Sequence, residues 1–235
     1  MSLEPSRVTD PRGVFQLFNR IAPRYDLVNR LMSLGRDLSW RRDLLELVRD
    51  RPGPLLDLCA GTGDVALMAS RHLPGRPVLC ADGSAGMLRR GLGRDGALAL
   101  AGWVQADALR LPLREASLGS ITVAFGVRNV VALDELMREL RRTLRPGGRL
   151  AVLDIFAPAS GLVGVCYGLY LRHLVPALGA AVGGDGAAYR HLSASVRAFG
   201  RPGDLAARME GAGFRGVGFR SMQLGAIGLV WGEKG

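Results

Sequence analysis

The chain has 235 residues, 48% of them hydrophobic and 22% charged, with a formal net charge of +10 and a single lysine, Lys234. That composition fits one globular α/β domain with additions, and it excludes a disordered or low-complexity protein. The arginines are scattered rather than gathered in a tract, so the charge does not argue for a nucleic-acid partner, although a basic surface suits an anionic lipid surface.

Cys59, Cys80 and Cys166 show no metal-binding or CxxC spacing and read as free thiols in a reducing cytosol. No secretory signal pattern is visible, and the expected location is cytoplasmic. The longest apolar stretch, Gly161–Gly184, is cut by Arg172 and His173 into pieces too short for the ~20 residues of a membrane span.

In chain order, residues 13–50 carry apolar side chains at three- and four-residue steps, punctuated by Pro23 and Gly35. The spacing predicts two or three helices forming an N-terminal cover. Strands and helices then alternate. "PLLDLCA", "RPVLCAD", "GWVQAD", "SITVAFGV" and "RLAVLDIF" read as five strands, and "ALDELMRELRRTL" as a helix closed by "RPGG" with a left-handed glycine cap. This alternation predicts a Rossmann-like doubly wound sheet, mostly parallel. "FRGVGFRSM" and "AIGLVWGEK" predict a closing antiparallel hairpin, and residues 157–203 form an insert after strand five.

The principal motif is "LLDLCAGTGDVAL", a strand running into Gly61-Thr62-Gly63 and then a helix. Glycine there lets the backbone turn sharply and come close to a ligand. Asp82 lies 82 − 61 = 21 residues further on, at the end of strand two, where a dinucleotide enzyme holds its ribose. Two features favour a different nucleoside. Asp57 and Asp64 bracket the glycines, which disfavours a pyrophosphate and suits a ligand bearing an ammonium and a sulfonium. Asp107 ends strand three, where a carboxylate accepts from an adenine amino group and Ala108 adds backbone donors. The set describes an S-adenosylmethionine (SAM) site better than an NAD site. The competing role for Asp82 and Asp107 is helix N-capping.

These segments resemble the class I SAM-dependent methyltransferases. The resemblance narrows to the ubiquinone/menaquinone biosynthesis C-methyltransferases through "VFQLFNRIAPRYDLVNRLMSLGRDLSWRR", "FGVRNV" and "AAYRHLSASVRAF". It implies C-methylation of a prenylated quinol, first of all demethylmenaquinol to menaquinol, with the benzoquinol precursor of ubiquinone as the alternative. It implies SAM contacts at Thr62, Asp82, Asp107 and Ala108. Asp57, Ala60, Gly61, Gly63, Gly83, Met87, Ala124, Phe125 and Tyr25 complete the expected cofactor site. Family members carry serine where this chain has Ala124.

A quinol carbon attacks a methyl sulfonium only when a ring hydroxyl is deprotonated or strongly hydrogen-bonded, and a free phenol titrates near ~10. Arg128 and Asn129, at the mouth of strand four, are the expected acceptor-facing pair: Arg128 to stabilise the phenolate, Asn129 to orient a ring oxygen. The competing role for Arg128 is an ion pair with Asp154 or Glu135 that fixes the loop. Tyr189 is the expected further pocket residue, the helix-packing reading is strong for Phe15 and Leu31, and no metal site is expected. A lipid acceptor is compatible with peripheral contact at the inner face of a membrane, and a homodimer is one compatible assembly. The other readings are a methyltransferase for a different lipophilic acceptor, an NAD(P)-dependent oxidoreductase, and a non-catalytic relative.

Overall fold

The structure is a computed structural model that describes residues 11–22, 25–157, 168–169 and 194–235. Three helices come first: α1 (Pro11–Ile21), α2 (Tyr25–Ser33) and α3 (Asp37–Glu46). Then follow β1 (Leu55–Leu58), α4 (Asp64–His72), β2 (Val78–Asp82), α5 (Ala85–Leu92), β3 (Gly102–Gln105), β4 (Leu118–Ala124), α6 (Leu133–Thr143) and β5 (Leu144–Ile155). The chain closes with α7 (Pro202–Gly211), β6 (Phe214–Met222) and β7 (Ile227–Lys234).

The seven strands form one sheet in the order β3-β2-β1-β4-β5-β7-β6. β3, β2, β1, β4 and β5 pair in parallel, and β7 pairs antiparallel with both β5 and β6. Both faces of the central strands β1 and β4 are buried, as a parallel sheet requires. Leu56 and Leu58 of β1 join Ile121, Val123 and Val152 beneath α6 and α7 on one face. Leu55 faces the other way, with Val78, Cys80 and Leu153, beneath α3 and α4. Alternate residues of one strand therefore feed two cores.

Two local expectations change. "RPGG" does not cap a helix: α6 ends at Thr143, and Arg145–Gly148 lie within β5, where Gly147 has φ +73°. The pairing register of β5 on β4 shifts between Leu118 and Ser120, so the glycines absorb an irregularity in the ladder. The second departure is α7, which begins at Pro202 inside the expected insert and continues over residues to which no element was assigned. The insert at 157–203 lies largely outside the described residues, and residues 194–199 are helical.

Candidate active site

The strand order reverses between β1 and β4, and on an open α/β sheet ligands bind beyond the carboxyl ends of the strands at such a switch point. A cavity of about 230 Å³ lies there. Its floor comes from the ends of β1, β2 and β4, and its cover from Val14, Phe15 and Phe18 of α1.

The loop after β1 is built by left-handed residues. Cys59, Gly61 and Gly63 have φ of +54°, +57° and +83°. Gly61 lines the cavity, and a Cβ on it would meet nothing within 4 Å, so the space beside its backbone is open to a ligand. Gly63 serves packing instead: a Cβ there would lie 2.4 Å from the Trp103 ring.

Asp82 holds this loop in place. One carboxylate oxygen accepts from the Gly61 N–H at 2.8 Å and the other from the Ser84 N–H at 2.7 Å. Burial raises the Asp82 carboxyl above its ordinary range, and those two backbone donors oppose the shift. Asp107 accepts from the Leu109 N–H at 2.9 Å. Both acids thus take the local turn-stabilising role, and both also line the cavity. Each carboxylate oxygen has two acceptor directions, so the backbone bonds leave capacity for a ligand.

The cover is fitted to this floor. A Cβ on Gly83 would lie 2.2 Å from Phe15, so glycine is what lets Phe15 reach the cavity. Asn19 Oδ1 accepts from the Gly86 N–H at 2.8 Å and the Ser84 hydroxyl at 2.7 Å, fastening α1 to the start of α5. Phe15, expected to be helix packing, is a cavity wall. Its signal in the sequence was an amphipathic face with no element of its own to cover.

Of the expected site residues, Gly61, Asp82, Gly83, Met87, Asp107, Ala108, Phe125 and Asn129 line this one cavity. Thr62 is buried beside Arg94, whose guanidinium donates to its carbonyl and hydroxyl at 3.0 and 3.1 Å. Ala60 and Ala124 pack against the core beneath α3 and α4. Tyr189 and the Tyr25 side chain lie outside the described residues. Cys59, Val130, Val131 and Ala132 line the cavity without having been singled out for it.

Asp57 and Arg128 depart from expectation. Asp57 is 1% exposed and lies beneath the loop, not in the cavity wall. It accepts from the Thr122 hydroxyl and the Ala66 N–H, both at 3.1 Å, so it ties the start of α4 to β4. Arg128 turns away from the cavity: Nη1 lies 2.5 Å from Asp154 Oδ1 and 2.6 Å from the Phe125 carbonyl, and its side chain is 6% exposed. Asp154 is fully buried and also accepts from the Arg128 N–H. An unpaired buried carboxylate would be costly, and Arg128 is the cation that compensates it. The ion pair weighed as its other role is the one it makes, and Asn129 alone of the pair reaches the cavity.

The cavity favours a cationic nucleoside through residues other than Asp57 and Asp64. Burial pushes Asp57 up to about 7, which weakens its share of the local negative charge. Asp64 is compensated by Arg41 at 3.3 Å and Arg94 at 2.7 Å. The cavity wall itself carries two carboxylates, Asp82 and Asp107, and no arginine, lysine or histidine among the described residues. Such a wall disfavours a pyrophosphate and fits a nucleoside that carries a sulfonium and an ammonium.

Fold and cavity together fit a class I SAM-dependent methyltransferase. The chain matches the model of the ubiE/COQ5 methyltransferase family over residues 6–234, and it belongs to that family. It is 40% identical to a demethylmenaquinone methyltransferase of Thermus thermophilus over 93% of this chain and 100% of that protein. It is 40% identical to one of Deinococcus radiodurans over 95% and 93%. A ubiquinone/menaquinone biosynthesis C-methyltransferase of Syntrophotalea carbinolica is 41% identical over 92% of each. Among solved structures, a SAM-dependent methyltransferase of Thermotoga maritima superposes with a TM-score of 0.67 at 18% identity, covering 94% of this chain and 99% of that one. That likeness carries the fold alone. Among the described residues, no helix is long and apolar enough to cross a membrane.

Proposed function

We propose that this enzyme methylates a ring carbon of a prenylated quinol, with demethylmenaquinol as the acceptor. The observation that supports this reading is one cavity with two chemistries: carboxylates at the ends of β2 and β3, and an apolar wall from α1 and Val130–Ala132 beside a single amide, Asn129. Relatives named for demethylmenaquinone and relatives named for both quinones align over nearly the whole chain, and menaquinone is common to the two names.

When bound, SAM supplies a methyl group on a sulfonium. In this chain Gly61 gives close backbone approach, Asp82 accepts from ribose hydroxyls, and Asp107 accepts from the exocyclic amino group. The Asn129 carbonyl accepts from the acceptor's ring hydroxyl, which enriches the ring in electrons and aims the attacking carbon. Arg128 acts as a positioning residue, holding the 127–129 turn through Asp154 so that Asn129 points inward. The acceptor's prenyl tail makes the enzyme a visitor to a membrane surface.

The test is methyl transfer from labelled SAM to a short-tailed demethylmenaquinol kept reduced with dithionite, beside the matching benzoquinol. Label in the naphthoquinol is expected. Asn129→Ala should lower turnover by about 10²-fold, the cost of losing one well-placed polar group. Its binding of S-adenosylhomocysteine should be unchanged. Transfer to neither quinol, or full activity in Asn129→Ala, would defeat the reading.

A further inference from the structure

The molecule exposes apolar side chains where burial was expected. Leu27 and Leu31, four residues apart on α2, are 56% and 52% exposed, and Leu34 just after the helix is 87% exposed. Positions i and i+4 share one helix face, so Leu27 and Leu31 make an apolar ridge on α2, and Leu34 follows in the turn beyond its end. Leu31 was expected to pack and does not. A fourth leucine joins them. Arg36 donates to the Gln223 side-chain oxygen at 3.0 Å, which sets the turn after α2 beside the β6–β7 turn. The residue after Gln223 is Leu224, 76% exposed.

The backbone at the two turn leucines is a second, independent observation. Leu34 and Leu224 have φ of +52° and +59°, the left-handed region that suits glycine and costs a branched side chain free energy. A leucine in that conformation, with its side chain in water, gains nothing inside the fold. Strain of this kind marks a position kept for contact with something else. Isolated exposed leucines are unremarkable, but four on two adjoining segments are not.

The charges around the ridge narrow the partner. Arg36 flanks it on a neutral amide, that of Gln223, while Arg30 and Arg220 flank it in ion pairs with Asp37 and Asp43, and Asp37 is also paired with Arg41, so the face keeps an excess of positive charge. The chain as a whole carries a formal charge of +10. Leucines flanked by arginines match an anionic bilayer, with apolar chains below and acidic headgroups level with the guanidinium groups.

We infer that the α2 ridge and the β6–β7 turn form the face that seats this enzyme on an anionic lipid surface, with Leu34 and Leu224 as the inserting tips. The inference deepens the reading of a prenylated acceptor by assigning the face through which the protein meets the phase that holds it. The test is cosedimentation of the full chain with vesicles of phosphatidylcholine alone and of equal parts phosphatidylcholine and phosphatidylglycerol. Acidic vesicles should bind more tightly, and less so as salt rises. The paired variant Leu34→Gly with Leu224→Gly removes the tips at positions where glycine fits the backbone, so it should fold without loss of stability. It should bind acidic vesicles at least about tenfold more weakly while turning over a short-tailed quinol normally. Leu98→Glu is the control: Leu98 is 92% exposed but lies next to β3, at the opposite end of the sheet, and should bind as the parent does.

Unchanged vesicle binding in the glycine variant would overturn the assignment. So would a dimer in solution that the same variant dissociates, because the ridge would then face a second copy of the chain. Vesicle binding is read without turnover, so a failure of the quinol assay alone would refute the acceptor and leave this surface standing.

Discussion

Asp57 is a carboxyl that the fold buries to use as an acceptor. Its folded pKa near 7 lies above the ordinary carboxyl value, because burial outweighs the bonds from Thr122 and Ala66. A raised carboxyl pKa means the folded state binds a proton that the unfolded chain has already released. The stability Asp57 contributes is therefore complete below pH ~4 and is lost as pH rises toward 7, at up to about 1.4 kcal/mol per pH unit. Asp82 is shifted the same way, whereas Asp64 and Glu139 are lowered by arginine partners, so the stability they contribute is present at neutral pH and is lost as pH falls. Asp57→Asn should flatten the dependence of stability on pH between about 4 and 7, measured by urea unfolding across that range. At this scale the sequence told which residue types gather at the strand ends, but not which way they turn. Asp57 alternates onto a buried face of β1, and Arg128 takes the pairing with Asp154, 26 positions away, which the sequence offered only as its competing role.

Among the elements, α3 does more than cover the sheet. Arg41, 5% exposed at its side chain, joins Asp37 of its own helix at 2.5 Å to Asp64 in the first turn of α4. Its guanidinium also lies 5.3 Å from the centre of the Phe125 ring, and Trp40 meets that ring edge-on at 6.5 Å. Phe125 is a cavity wall with φ +60°, so α3 braces both the glycine loop and a strained wall residue. Arg41→Met keeps the stem but not the charge. It should cost about 3 kcal/mol, the lower end for a broken buried pair, since Arg30 and Arg94 remain on the two carboxylates. It should also raise the KM for SAM more than it lowers kcat, a split that steady-state kinetics reads directly. Helix periodicity announced α1 to α3 because each has one apolar stripe. It could not show that α1 spends its stripe on a cavity, or that "RPGG" continues a strand, because both depend on partners distant in the chain.

For the molecule as a whole, strand and helix alternation carried most of the architecture, including the antiparallel hairpin. Strand order, and with it the switch point between β1 and β4, depends on pairings that separate segments by tens of residues. Ligand binding at the cavity has a global readout. S-adenosylhomocysteine at a hundredfold excess over its Kd should stabilise the protein by about 2.7 kcal/mol, whereas NADH should leave the thermal midpoint unmoved. A shift with NADH would reverse the ligand assignment.

The position of β7 has a consequence for how the chain is made. It pairs on both sides, with β5 through seven residues and with β6, yet it is translated after both. Until residues 227–234 leave the ribosome, β5 presents an open, apolar strand edge and β6 has no neighbour to hold it. An exposed edge of that kind invites pairing with other chains. The nascent protein is thus most vulnerable to aggregation just before this strand emerges, and a chaperone that shields the β5 edge would matter only during that interval.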